Sequence, residues 1–328
     1  MTPSGSDDVA ALYTRIRALD RRALARGITL VESRRDDDQG RAQALLDLAL
    51  PDSGQALRVG ISGTPGVGKS TFIETLGMFL VAQGRRVAVL AVDPSSPTSG
   101  GSILGDKTRM ERLSREAQAF IRPSPTGGAL GGVAARTREA MLLCEAAGFD
   151  TVLIETVGVG QSEHAVSSIV DTFVLLVSPG GGDDLQGVKR GILELVDVVV
   201  INKADGPRVD EAKKTADDYR VAGQLFVRQG WIPPVLVMSA LEDSGIPGVW
   251  QAVIEHRAAI EASLKERRAA QAETWLWRVV EEDVVRELRR SPAVAVLLPT
   301  ILKNVQAGRL SPGRGAERLV QAFTTSSS

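Results

Sequence analysis

One glycine-rich segment limits the possible folds of this chain more than any other part of its sequence. Residues 63–70 read Gly-Thr-Pro-Gly-Val-Gly-Lys-Ser, which matches the pattern G-x-x-x-x-G-K-S. The segment follows an apolar run at 57–62 and precedes a stretch of helical character. In such a strand-to-helix turn, glycines let successive backbone N–H groups point at a phosphate, and the helix N-terminus adds partial positive charge. A glycine-rich turn without a ligand is the alternative, but the match at every fixed position favours a phosphate-binding loop.

The side chains of this loop have expected roles. Lys69 is expected to reach the β- and γ-phosphate oxygens of a nucleotide and to act in catalysis, and the Ser70 hydroxyl is expected to bind Mg²⁺. The residues predicted to surround the phosphates are Gly63, Thr64, Pro65, Gly66, Val67, Gly68, Lys69, Ser70 and Thr71.

From residue 57 onward, short β-branched runs alternate with helical stretches. This alternation predicts a doubly wound α/β fold with a mainly parallel sheet, in which ligands bind at the carboxyl ends of the strands. The predicted strands lie at 57–62, 87–92, 151–155, 172–177, 196–201 and 235–238.

The sequence on either side of this core is predicted to be helical. Apolar residues at helical spacing indicate an N-terminal extension over residues 1–50. The core, a P-loop domain, is assigned to residues 51–264, because no strand signal remains after Pro247. A helical C-terminal region is assigned to residues 265–328.

The charge balance excludes a general affinity for polyanions. The chain has 39 Lys and Arg residues against 40 Asp and Glu residues, so neither nucleic acid nor a membrane surface is an expected partner. Its single cysteine excludes a disulfide framework and a multi-cysteine metal cluster. The first residues lack the basic and apolar segments of a signal peptide, and no apolar run reaches the ~18 residues of a membrane span. We therefore expect a cytoplasmic protein.

Two further segments indicate which base the site prefers. Asn202, Lys203 and Asp205 follow the apolar run 196–201. A carboxylate at Asp205 can accept hydrogen bonds from the N1–H and N2–H₂ groups of guanine, whereas adenine presents an acceptor at N1. The sequence therefore predicts a guanine nucleotide, GTP or GDP.

The second base-side segment follows the run 235–238. It consists of Ser239, Ala240 and Leu241, whose backbone N–H groups are expected to reach guanine O6. An ordinary cap between a strand and a helix is the alternative interpretation of these three residues.

The run 151–155 ends in an acidic residue, Glu155, that is a candidate for the part of the site that binds the phosphates. Glu155 stands three residues before Gly158, which resembles the D-x-x-G element of GTPases with Glu in place of Asp. Glu155 is expected to hold Mg²⁺ directly or through water, and the Gly158 N–H to contact the γ-phosphate. A solvated acid at a strand end is the alternative for Glu155. Val159 stands where a water-positioning Gln is expected, so hydrolysis should be slow unless Gln161 or another group orients the water.

A segment rich in Pro, Ser and Gly follows the run 87–92. It begins at Asp93 and contains Asp106, and its composition predicts a loop that senses the nucleotide. Asp93 and Asp106 are expected to bind Mg²⁺ directly or through water. For Asp106 a helix N-cap or an acid in the first turn of a helix is nearly as good an interpretation as a metal ligand.

A comparable segment at 178–189 follows the run 172–177 and contains three consecutive glycines. These glycines allow large changes of backbone angle, which favours a second switch with Asp183, Asp184 and Lys189 as its charged groups. Lys189 is the candidate catalytic residue of this segment. A tight turn without such a role is the alternative.

Together these motifs resemble one family, the MeaB and methylmalonic aciduria type A G-protein metallochaperones, formerly called LAO/AO transport ATPases. The most specific part is the string from Glu155 to Glu163, Glu-Thr-Val-Gly-Val-Gly-Gln-Ser-Glu. The other residues that carry the resemblance lie at 63–70, 93–97, 105–110, 180–189 and 202–205.

This resemblance implies a function that the residues do not show by themselves. It implies a GTPase that uses Mg²⁺ and hydrolyses GTP slowly alone and faster with its client protein. That client is methylmalonyl-CoA mutase, and the resemblance implies that the GTPase gates the loading of adenosylcobalamin onto this enzyme and protects it. We then expect Lys189 to act in catalysis when the client orders the segment 178–189. The resemblance also implies a homodimer, for which the C-terminal region offers Trp277, Val280, Val284 and Leu288 as apolar residues with no strand to cover.

Two other classes stay open. One is a nickel-insertion GTPase of metalloenzyme maturation, against which the absence of a Cys/His cluster in the sequence argues. The other is a transport-associated ATPase or kinase, against which Asp205 argues, because its carboxylate favours guanine over adenine.

Overall fold

The computed structural model describes residues 5–33, 35–92, 110–123, 130–156, 162–180, 190–223 and 230–326. The chain forms two compact units, Met1–Arg268 and Ala269–Ser328. The three-part division at residues 50 and 264 stays a prediction.

The first unit contains a parallel sheet, which has seven strands in the described ranges. From one edge to the other, the strand order is β3-β2-β4-β1-β5-β6-β7. The strands are β1 Leu57–Gly63, β2 Val87–Val92, β3 Ala119–Arg122, β4 Thr151–Thr156, β5 Thr172–Val177, β6 Val198–Ile201 and β7 Val235–Val237. The α/β class with a parallel sheet is therefore confirmed.

Helices flank the sheet and extend the chain at both ends. The N-terminal helices are α1 Gly5–Arg17, α2 Arg21–Val31 and α3 Asp36–Ala49. Those between strands are α4 Lys69–Ala82, α5 Glu111–Arg115, α6 Leu130–Ala146, α7 Ser162–Ser167, α8 Arg190–Leu193 and α9 Val209–Gly223. Those after the sheet are α10 Ile246–Ala259, α11 Leu264–Arg290, α12 Pro292–Gln306 and α13 Pro312–Ser326. In the described part of the chain, none of them has the length and apolar character needed to cross a bilayer.

The central strands explain why the sequence folds into this layered arrangement. Every residue of β1, β4 and β5 is buried, so these strands need apolar cover on both faces. Helix α4 supplies part of that cover through Phe72, Leu76 and Leu80. Strand β1 pairs with β4 on one side and β5 on the other, so the carboxyl ends of these three strands lie together. This is the edge at which a doubly wound sheet binds ligands.

Strands β1, β4 and β7 end within one residue of their predicted ends, and two other strands differ more from the sequence-based prediction. Strand β3 was not predicted, because its four residues are too few to show a β-branched run, and it forms only by pairing with β2 at the sheet edge. Strand β6 begins at Val198, not at residue 196. The reason is Asp197, whose carboxylate accepts a hydrogen bond from Phe173 N at 2.8 Å and so starts the strand with a side-chain contact.

A buried ion pair joins β1, near its amino end, to helix α6. Arg58 on β1 donates through Nε and Nη2 to the two carboxylate oxygens of Glu145 on α6, at 2.6 and 3.1 Å. The two side chains are 7% and 1% exposed. Glu145 also accepts a hydrogen bond from the Gly54 N–H.

Glu145→Gln is expected to lower the free energy of unfolding by about 2 kcal/mol. The amide keeps an acceptor but leaves the Arg58 guanidinium buried with a weaker partner. Urea denaturation measures this change. The control is Glu111→Gln, which breaks an exposed pair with Arg115 and should cost less than about 0.5 kcal/mol. Equal losses in the two variants would contradict the assignment of the buried pair.

Candidate nucleotide-binding site

The glycine-rich loop connects β1 to α4 at the carboxyl edge of the sheet. Two of its glycines lie where a side chain would collide with neighbouring groups. A Cβ atom at Gly63 would lie 2.5 Å from Leu176 O, and one at Gly68 would lie 2.8 Å from Asn202 Nδ2. Gly68 also has a φ of +93°, which L side chains rarely adopt. The loop can therefore close tightly against β5 and Asn202 only with glycine at these positions.

Lys69 is the first residue of α4, and its side chain folds back over the loop. The ammonium Nζ donates to Gly63 O at 2.8 Å and to Thr64 O at 3.2 Å. Burial lowers the pKa of Lys69, while the nearby carboxylates of Glu155 and Glu163 act in the opposite direction. A cation is thus held inside the turn, where oxygen atoms of a phosphate can take the place of the carbonyl oxygens.

Ser70 and Glu155 come together at the end of β4, as the sequence suggested. Ser70 Oγ donates to Glu155 Oε1 at 3.1 Å. A hydroxyl and a carboxylate are oxygen ligands of the kind that Mg²⁺ prefers. In the described ranges no cluster of three or more His, Cys, Asp or Glu side chains forms a metal site. Asp93 and Asp106, the other predicted ligands, lie outside the described residues.

Asn202 and Lys203 join the end of β6 to the phosphate loop. Asn202 Nδ2 donates to Val67 O at 2.9 Å, and its Oδ1 accepts from Ala240 N at 3.1 Å. Lys203 Nζ donates to Gly66 O at 2.6 Å. One short segment therefore fixes the phosphate loop relative to the segment that follows β7.

Asp205 is held by the second predicted base-side segment. Ser239 Oγ donates to Asp205 Oδ2 at 2.7 Å and accepts from Glu242 N at 3.2 Å. The Ser239 and Ala240 N–H groups donate to Ser244 O and Asn202 Oδ1, so a base that bound to them would have to replace these contacts. Leu241 is largely exposed. The structure thus brings together the two segments that were predicted to contact one base.

The remaining predicted residues divide into two groups. In the loop, Val67 is buried in the core, Thr64 is half-buried, and Pro65, Gly66 and Thr71 are exposed. Outside the described residues lie Gly158, Lys189, Val159, Gln161, Asp183 and Asp184. The roles given to this second group stay predictions.

The sequence analysis missed a buried polar chain behind the loop. Thr156 Oγ1 donates to Ser62 Oγ at 2.9 Å, and Ser62 Oγ donates to Glu163 Oε1 at 3.4 Å. All three residues are fully buried. The sequence does contain a sign of this chain, because Glu163 is the last residue of the string 155–163 that carries the family resemblance. The string alone does not show that Glu163 is buried or that it contacts Ser62.

The parallel sheet, the glycine-rich loop at its carboxyl edge and the Asn-Lys-x-Asp segment bound to that loop define a P-loop GTPase. Within that class, the chain belongs to the MeaB family of methylmalonyl Co-A mutase-associated GTPases, whose family model matches residues 24–293. The resemblance inferred from the motifs is confirmed, and so is the predicted GTPase activity.

Several relatives span almost the whole chain. A protein of Caulobacter vibrioides named putative GTPase is 53% identical over 320 residues, which cover 96% of this chain and 98% of the relative. The mouse protein named methylmalonic aciduria type A homolog, mitochondrial, is 47% identical and covers 96% of this chain, with 79% of its own length matched. The crystal structure of an LAO/AO transport system kinase has a TM-score of 0.75 at 39% identity, over 96% of this chain and 97% of that one.

Proposed function

We propose that this GTPase is a chaperone that gates the loading of adenosylcobalamin onto methylmalonyl-CoA mutase and protects that enzyme. The client is supported by the family, which is described as mutase-associated. The nucleotide part is supported by one observation above others, the hydrogen bonds of Asn202 and Lys203 to the phosphate loop. These bonds tie the segment proposed to bind the base to the loop proposed to bind the phosphates. The distance between the two parts of the site is thereby fixed.

The phosphate side of the site would bind GTP or GDP together with Mg²⁺. Lys69 would exchange Gly63 O and Thr64 O for phosphate oxygens, with the N-terminus of α4 adding partial positive charge. Ser70 and Glu155 would hold Mg²⁺, with Asp93 and Asp106 as further candidates. When bound, the metal supplies positive charge that offsets the charge developing on the phosphates.

The base side would recognise guanine through Asp205. Ser239 fixes one carboxylate oxygen of Asp205 at 2.7 Å and so orients the group that would accept the N1–H and N2–H₂ hydrogen bonds. Asn202 and Lys203 would support the base from the side of the phosphate loop.

A homodimer formed through the C-terminal unit is part of the proposal. Trp277, Val280 and Val284 are exposed on α11 and give that unit an apolar face. A cytoplasmic location stays a prediction.

Size-exclusion chromatography with purified mutase tests the client. We expect the two proteins to elute together, and the bound fraction to differ between GDP, a non-hydrolysable GTP analogue and no nucleotide. Separate elution in all three conditions would contradict the proposed partner.

Lys189→Ala is expected to lower the ratio of mutase-stimulated to basal GTP turnover at least tenfold. If binding of the client brings Lys189 to the phosphates, a tenfold gain in rate requires only about 1.4 kcal/mol of transition-state stabilisation. Asp183→Ala tests the same segment. The control is Lys213→Ala, because Lys213 forms an exposed pair with Asp210 on α9. A ratio that survives both changes in 178–189 would place the coupling elsewhere, with residues 94–109 as the next candidate.

A further inference from the structure

Thr75 is a buried polar residue of α4, the helix that follows the phosphate loop, and the proposed mechanism gives it no role. The residue is 6% exposed, and its hydroxyl donates a hydrogen bond to Ala240 O at 3.0 Å. Ala240 lies in the segment 239–241, whose backbone N–H groups are expected to reach guanine O6. Helix α4 therefore contacts the base side of the site as well as the phosphate side.

Ala240 is held at both of its backbone polar groups. Its N–H donates to Asn202 Oδ1 at 3.1 Å, and its carbonyl oxygen accepts from Thr75. Asn202 in turn donates to Val67 O in the phosphate loop at 2.9 Å. The peptide that joins Ala240 to Leu241 therefore has its orientation set by contacts with α4 and with the phosphate loop.

This orientation decides where the N–H group of Leu241 points. In a trans peptide the N–H points away from the carbonyl that precedes it. Because Ala240 O points to Thr75, the Leu241 N–H points away from α4. The N–H groups of Ser239 and Ala240 donate within the protein, whereas that of Leu241 has no acceptor among the described residues. It can bond to a ligand without the loss of a contact within the protein.

We propose that Thr75 is a positioning residue that fixes this peptide so that the Leu241 N–H donates to O6 of guanine. This inference rests on the proposed nucleotide site. Guanine has an acceptor at O6 where adenine has an amino donor, so the donor at Leu241 would complement Asp205 on the same base. Without the Thr75 hydroxyl, the buried Ala240 O loses its donor, and the peptide is no longer fixed.

Two substitutions and three nucleotides separate this role from a general effect on the fold. Thr75→Val removes the hydroxyl and keeps the branched shape, whereas Thr75→Ser keeps the hydroxyl. IDP lacks the N2–H₂ group of GDP but keeps O6. In 6-thio-GDP the N1–H and N2–H₂ groups stay, and sulfur, a weak acceptor, replaces O6.

Calorimetric titration with each nucleotide and Mg²⁺ tests the inference. We expect Thr75→Val to bind GDP and IDP about tenfold more weakly than the wild type, equivalent to about 1.4 kcal/mol. The same variant should bind 6-thio-GDP within about threefold of the wild type, because its sulfur gains little from the Leu241 N–H. Thr75→Ser should bind GDP within about threefold of the wild type.

Thr274→Val is the control for the exchange of threonine for valine on a helix. The Thr274 hydroxyl is exposed and donates to Ala270 O of its own helix, α11, so its loss should leave all three affinities unchanged. The melting temperature shows whether Thr75→Val is folded, and Thr75→Ala serves if it is not.

The possible results separate this inference from the proposed function. A folded Thr75→Val that binds GDP as tightly as the wild type would overturn the role of Thr75 and leave the nucleotide site intact. Equal losses of affinity for GDP, IDP and 6-thio-GDP would do the same, because they would show a general effect on the site. A wild-type chain that does not bind GDP at all would overturn the proposed site and this inference with it.

Discussion

Lys69→Ala is expected to lower the turnover of GTP by about 10²- to 10³-fold at saturating nucleotide. Lys69 Nζ lies on Gly63 O and Thr64 O inside the loop that would hold the β- and γ-phosphates. Negative charge grows near the bridge between these phosphates as the bond breaks, and a fixed cation stabilises that charge. Removal of one such preorganised electrostatic contact typically costs this factor in rate.

Release of phosphate from GTP under single-turnover conditions measures this effect. Lys213→Ala, an exposed lysine on α9, is the matched control and should hydrolyse GTP at the wild-type rate. Near wild-type hydrolysis by Lys69→Ala would show that the loop from Gly63 to Ser70 does not bind the phosphates during catalysis.

Asp205→Asn is expected to lower the affinity for GDP at least about 100-fold and to shift the preference toward xanthine nucleotides. Asparagine cannot accept from both N1–H and N2–H₂ of guanine, but its amide can donate to the O2 that replaces N2–H₂ in xanthine. The substitution keeps an oxygen that can accept from Ser239, so the segment at 239–241 should stay in place.

Calorimetry with GDP and xanthosine diphosphate measures the change in preference. The control is Asp210→Asn, which removes a carboxylate that is 97% exposed on α9 and should change neither affinity. If Asp205→Asn bound GDP as tightly as the wild type, Asp205 would not be the residue that reads the base.

Local backbone constraints made the phosphate loop predictable from the sequence. Gly63 and Gly68 are needed because side chains there would collide with Leu176 and Asn202. The positions of these glycines in the sequence therefore indicate where the backbone of the loop approaches its neighbours closely. Asn202 and Lys203 were predicted as base-side residues, but their hydrogen bonds to the phosphate loop were not, because these bonds depend on how β6 lies beside β5 and β5 beside β1.

The features that could not be predicted from the sequence depend on tertiary contacts. Strand β3 is four residues long and exists as a strand through its pairing with β2, which no local pattern shows. The burial of Glu163 and its contact with Ser62 could not be predicted, because an acid in the first turn of a helix is ordinarily a solvated group. Strand β6 begins two residues later than predicted for the same kind of reason, because Asp197 contacts Phe173 on the neighbouring strand.

The central claim, that this GTPase works under the control of its client, is tested most directly by one rate. The measurement is the initial rate of phosphate release from GTP by the wild-type chain as methylmalonyl-CoA mutase is added. We predict a saturable rise of at least tenfold, which corresponds to about 1.4 kcal/mol of the activation free energy. A rate that stays constant at mutase concentrations where the two proteins elute together would contradict the claim.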